Sequence, residues 1–234
     1  MLVFTGQGRA NVFNNTEVLK LDSKDDQVPT YQNHSKSMSG ATGGFLANQF
    51  ITCGGCIDGE SIATRNCYKV GPTNSSLHGS MKGERRNAAS IVLADRLWIL
   101  GGISKCLSHH DGRDSILKST EYILHDGRQE DGPDLPISLH DHAGIQINGT
   151  HFMIIGGRST NGQTDKTWVY SNGNWYNGPV LTKARYYHSV GKIRDSVNHK
   201  DFIVVAGGED VSSYFKDTEI LEIDSNVWKA GKLL

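Results

Sequence analysis

Cys53-Gly54-Gly55-Cys56 has the spacing of a redox dithiol. Such pairs work at a helix start, where the dipole lowers the thiol pKa. Here the cysteines bracket the end of the apolar run FIT, which reads as a strand, so redox chemistry is not expected. Zinc needs a second ligand pair at suitable spacing, and Cys67 and Cys106 do not supply one. His109-His110-Asp111 carries metal-ligand types, but a solvated loop is the favoured reading and no metal or other cofactor is expected. No Ser/His/Asp order or carboxylate pair can be placed together from sequence alone. A different chemistry is open to Arg9, Arg85, Arg86, Arg158 and Arg185, with His140, Tyr186 and Tyr187 nearby. A guanidinium offers a planar fork to carboxylates and phosphates, and tyrosine adds rigid amphipathic contact. Which of these residues meet depends on the elements that carry them.

The 234 residues suffice for a substantial core. With 24 basic and 25 acidic residues and no block of like charge, nothing resembles a nucleic-acid footprint or a basic membrane face. No apolar run approaches the ~18 residues of a membrane span. The opening MLVFTGQGRA does not read as a signal peptide, which leaves secretion open. Abundant glycine (27 residues), scarce proline (5) and many short apolar runs favour an all-β chain.

One pattern recurs five times: LVFTGQG, FITCGG, LWILGG, FMIIGG and FIVVAGG. Their first glycines are Gly6, Gly54, Gly101, Gly156 and Gly207, in steps of 48, 47, 55 and 51 residues. A second strand-like segment precedes each of the last four, and a polar loop and a third strand follow. A period near 50 residues marks a propeller array, because one small sheet cannot bury both faces without neighbours. The units run approximately over 1–37, 38–82, 83–136, 137–182 and 183–234.

These units resemble the kelch repeat, which has Arg or His before or on a first strand, Gly-Gly closing the second, Tyr on the third and then Trp. The fifth carries Arg185, His188, Gly207, Gly208, Glu219 and Trp228; the fourth carries His142, Gly156, Gly157, Tyr170 and Trp175; the third has Arg86, Gly101, Gly102 and Tyr122; the second has Gly54, Gly55 and Tyr68. The resemblance implies an all-β, kelch-type β-propeller of about five blades, each a four-stranded antiparallel sheet with the glycines ending strand two. Tyr170, Trp175 and Trp228 are expected as core wedges, with an aromatic packing over the glycines. Since the chain starts on a second strand, an incomplete or open ring is expected. The ligand set of copper-oxidase propellers is not found, and Ser159-Thr160-Asn161-Gly162 breaks the spacing of a sialidase box towards Trp168.

Cys53 and Cys67 fall on neighbouring strands of this arrangement, and similar secreted kelch proteins carry CGG and then CY, so a disulfide is expected there. Cys56 and Cys106 lie just past the glycines of adjacent blades, where a second bridge is a weaker expectation. Asn14, Asn33, Asn74 and Asn148 begin N-x-S/T sequons, a mild excess over chance. Together these favour a secreted glycoprotein; the alternative is a cytoplasmic domain with four reduced thiols.

The expected function is a non-enzymatic interaction module that binds a protein or peptide, acidic or phosphorylated, through loops on one face. Kelch adaptors use the face formed by the loops after the glycines and the turns into each first strand. Arg9 and Arg158 fall in the first class and Arg85, Arg86 and Arg185 in the second. The structural alternative is that Arg86 and Arg185 pair with Glu121 and Glu219. The functional alternative is a propeller enzyme, an oxidase or a glycoside hydrolase, with convergent titratable groups at the channel mouth.

Overall fold

The structure, a computed structural model, describes residues 2–4, 16–19, 30–31, 38–57, 62–71, 75–106 and 115–231. Four segments of the repeat form four-stranded antiparallel sheets whose strands are paired in chain order. The second blade holds Thr42–Leu46, Gln49–Cys53, Asn66–Val70 and Ser75–Ser80; the third holds Ala89–Leu93, Arg96–Leu100, Thr120–Leu124 and Gln129–Asp131. The fourth holds Ala143–Gln146, His151–Ile155, Thr167–Ser171 and Asn174–Asn177; the fifth holds Ser189–Asp195, Lys200–Ala206, Thr218–Glu222 and Trp228–Ala230. At the N-terminal end, Leu2–Phe4, Thr16–Leu19 and Thr30–Tyr31 make a three-stranded antiparallel sheet. Among the described residues no strand pairing joins the fifth sheet to the first, and no helix is long and apolar enough to cross a membrane.

The second strands read as unbroken apolar runs because both faces are covered. Leu97 and Ile99 pack with Leu46, Ile51 and the cysteines of blade two. The alternate residues Trp98 and Leu100 pack with Phe152, Ile154 and Trp168 of blade four. Ile203 and Val205 pack back on Met153 and Ile155 in the same way. Tyr170 and Trp175 are half-buried core wedges in an aromatic cluster with Trp98 and Phe152, and Trp228 is buried between blades four and five.

Each glycine pair ends its second strand with positive φ at both positions, from 58° at Gly156 to 98° at Gly102 and Gly157. Close backbone approach also requires glycine. A Cβ on Gly54, Gly101 or Gly156 would stand 2.2, 2.5 or 2.6 Å from the carbonyl oxygen of Arg85, Leu139 or Arg185 in the next blade. Those carbonyls accept from Gly55, Gly102 and Gly157 at 2.7–2.9 Å. The cover over the glycines is thus the neighbouring backbone, not the expected aromatic, supplemented by the rings of His142 and His188. The blades are stitched where they come closest, and a side chain there would pry them apart.

Both disulfides are present. Cys53–Cys67 joins neighbouring strands of blade two with the Cα atoms 4.0 Å apart. Cys56–Cys106 joins blades two and three with the Cα atoms 5.5 Å apart.

Candidate functional site

The segments leading into the first strands build one face of the stack. Asn87 N–H donates to Gly40 O, Asp141 N–H to Asn87 O and Tyr187 N–H to Asp141 O, at 2.7, 3.0 and 3.1 Å. Each of these four residues has φ between 53° and 69°. One residue earlier, Arg86, His140 and Tyr186 pair with Ile103, Arg158 and Glu209, which directly follow the glycine pairs. Side chains from blades three to five are thereby gathered on one face.

Arg86, His140, Arg158, Tyr186 and Tyr187 share this face. Arg158 lies over the Tyr186 ring at 5.0 Å, and the Tyr186 and Tyr187 rings are 5.1 Å apart. Arg86 Nε donates to Lys105 O at 2.8 Å. Two carboxylates stand among them, Asp141 and Glu209, neither of which stands out in the linear sequence. Aligning the lead-in segments on one another would have placed Asp141 beside Asn87 and Tyr187. His140 Nδ1 is 2.5 Å from Asp141 Oδ2. Burial, and next the Asp141 charge, push the Tyr187 phenol up to about 12. The residue as a whole is nonetheless open, 59% exposed. Burial first, then Glu209, raise the Tyr186 phenol, against an opposing pull from Arg158.

Arg85 and Arg185 are placed elsewhere, 3% and 0% exposed, with side-chain partners in their own blades. Arg185 donates to Gly207 O, Asp217 and Glu219 at 2.7, 3.1 and 2.8 Å. Arg85 donates to Gly101 O and Ser119 O at 2.9 and 3.0 Å and pairs closely with Glu121. The structural partner of Glu121 is therefore Arg85, not Arg86 as the sequence suggested. The register explains the shift. Arg85, Leu139 and Arg185 occupy one repeat position, with carbonyls accepting from the second glycine, and Glu121, Trp168 and Glu219 occupy another, one residue into the third strand. Where the first is Leu139, the second is Trp168, and both are buried in one apolar cluster. A cleft of about 430 Å³ opens beside Arg85, lined also by Lys82, Leu117, Ser119 and Asp131. At the equivalent place in blade five, Phe215 lies over Arg185 at 4.9 Å.

Arg9, Asn14, Asn33 and Asn74 lie outside the described residues, as do His109, His110 and Asp111. Asn148 sits exposed in the turn between Ala143–Gln146 and His151–Ile155. Its Oδ1 accepts from Thr150 N and His151 N, both at 2.9 Å. Among the described residues no three of His, Cys, Asp and Glu gather to hold a metal ion.

A solved structure described as "Structure of YjhT" superposes on 94% of this chain and 78% of its own, with a TM-score of 0.80. The fold is a propeller-type all-β fold. Sequence identity in that superposition is 12%, so the likeness extends to the fold alone. No family model matches the chain, and no curated protein matches it.

Proposed function

We propose that this chain is a non-enzymatic, kelch-type interaction module whose face around Arg86 and Arg158 binds an acidic segment of a protein partner. One observation carries the reading. Among the described residues neither guanidinium has a carboxylate within 4.0 Å: Arg86 is held by the Lys105 carbonyl and Arg158 by the Tyr186 ring. Of the neighbouring carboxylates, Asp141 is engaged by His140. Two half-buried cations so placed are pre-organised for an incoming carboxylate, and the cost of ordering them is already met by the fold. The Arg85 and Arg185 guanidiniums bond within their own blades, and the carbonyls of the same residues tie those blades to the preceding ones, so both serve this face indirectly. The two disulfides support an oxidising, extracellular setting.

The test is fluorescence anisotropy with a labelled Gly-Ser-Glu-Glu-Gly-Ser peptide at low salt. Arg86→Glu and Arg158→Glu should each weaken binding at least about ten-fold, the value of one charge-assisted contact. Unchanged affinity in folded variants would move the site to another face. The His140–Asp141 pair favours a second reading, a propeller hydrolase in which this pair moves a proton. That reading requires turnover of aryl glycosides that Asp141→Asn abolishes.

A further inference from the structure

Tyr187 occupies a position that the repeat otherwise gives to Gly40, Asn87 and Asp141. All four have left-handed backbone, with φ of 56° at Tyr187. Glycine, asparagine and aspartate tolerate that region, whereas a bulky aromatic is disfavoured there. Apolar packing offsets this only in part, because more than half of Tyr187 is exposed and its ring contact is with Tyr186. A strained and largely exposed residue points to a use outside the fold. Blade five also exposes residues nearby. Tyr186 pairs with Glu209, Glu209 bridges to Tyr214, and Tyr214 is 83% exposed with Val211 at 72%. The residue equivalent to Tyr214 in blade four is Gln163, paired to Arg158 as Tyr214 is to Glu209. The blade-five side of the face therefore exposes Val211 and Tyr214, with Ser212 and Ser213 between them, and it adjoins Arg158 through the Tyr186 ring.

We infer that Tyr187, Val211 and Tyr214 form an apolar subsite beside Arg158, which takes an aromatic or large aliphatic side chain next to the acidic residue of the same partner segment. The inference rests on the acidic-segment reading and adds to it a specificity that charge alone does not supply. Rigid tyrosines bury apolar area at little entropic cost, as in other recognition surfaces.

The experiment compares labelled Gly-Ser-Glu-Glu-Gly-Ser with Gly-Ser-Glu-Glu-Phe-Ser on the intact chain. The phenylalanine peptide should bind about ten-fold more tightly. In a Tyr187→Asn/Tyr214→Ala variant that preference should vanish, whatever the absolute affinities. Tyr187→Asn, which copies Asn87, should melt no lower than the parent. Equal binding of the two peptides by the parent, or a preference that survives in the variant, overturns the subsite while leaving the acidic-segment reading standing. Failure of both peptides to bind overturns both. A preference that appears only in the parent, with the arginine variants weakening both peptides alike, supports both.

Discussion

His142 and His188 sit where blades meet, each with its ring against a glycine of the preceding blade. Burial first, with neighbouring His140 and His188 adding to it, lowers His142 to about 3. Burial first, then the Arg185 charge, lowers His188 to about 4. Neither ring nitrogen of His142 has a hydrogen-bond partner among the described residues. Both rings are thus neutral in the fold and take up protons on unfolding below about pH 6.5. Between that pH and about 4 the unfolded chain binds more protons, so stability is full above 6.5 and falls as the solution is acidified. The loss is on the order of 3 kcal/mol for each ring. Denaturant midpoints measured from pH 7 to pH 4 should decline steeply in the parent and less in a His142→Leu/His188→Leu variant. Parallel declines would show that other groups carry the acid sensitivity.

At the scale of the element, each contact between lead-in segment and third strand is either ionic or apolar as a pair. Arg85 meets Glu121, Arg185 meets Glu219, and Leu139 shares its cluster with Trp168. A buried charge left alone is far costlier than a matched apolar replacement. Arg85→Leu alone should therefore destabilise by about 3–5 kcal/mol, and Arg85→Leu with Glu121→Leu by clearly less. Thermal or urea unfolding of the two singles and the double gives the coupling. Additive losses would mean that the two residues act independently. The same logic separates the four described arginines of the five raised by the sequence. Arg85 and Arg185, with carboxylate partners, are part of the scaffold, whereas Arg86 and Arg158 have no carboxylate partner among the described residues.

For the whole molecule, the disulfides divide the labour. Cys53 and Cys67 are buried within one sheet, whereas Cys106 is only half-buried in a loop. Cys56–Cys106 closes a separation of 50 residues against 14 for the other. In the chain-entropy account the longer loop contributes about 4 kcal/mol and the shorter about 3. Mild thiol reductant under native conditions should open Cys56–Cys106 first and lower the melting temperature, with Cys53–Cys67 surviving until global unfolding. Alkylation and peptide mass mapping report the order. Prior loss of Cys53–Cys67 would contradict the burial argument. The Cys106 bridge also anchors the segment whose Lys105 carbonyl holds Arg86, so the same cross-link steadies both blade packing and the proposed face.

The repeat, the four-stranded sheets and the role of the glycine pairs were legible in the linear chain. Each rests on local chemistry that recurs near every 50 residues: an apolar run covered on both faces, ended by residues that accept positive φ. Cys53 and Cys67 were legible for the same reason, since adjacent strands follow from the repeat. The division between Arg85 and Arg86 was not. Adjacent residues of an extended segment point to opposite sides, so a shift of one position exchanges a buried ion pair for an open guanidinium. Asp141 and Glu209 were likewise silent in the sequence. Their meaning comes from side chains that arrive from other blades, and only the stacking of those blades decides which charges meet and which are left facing outward.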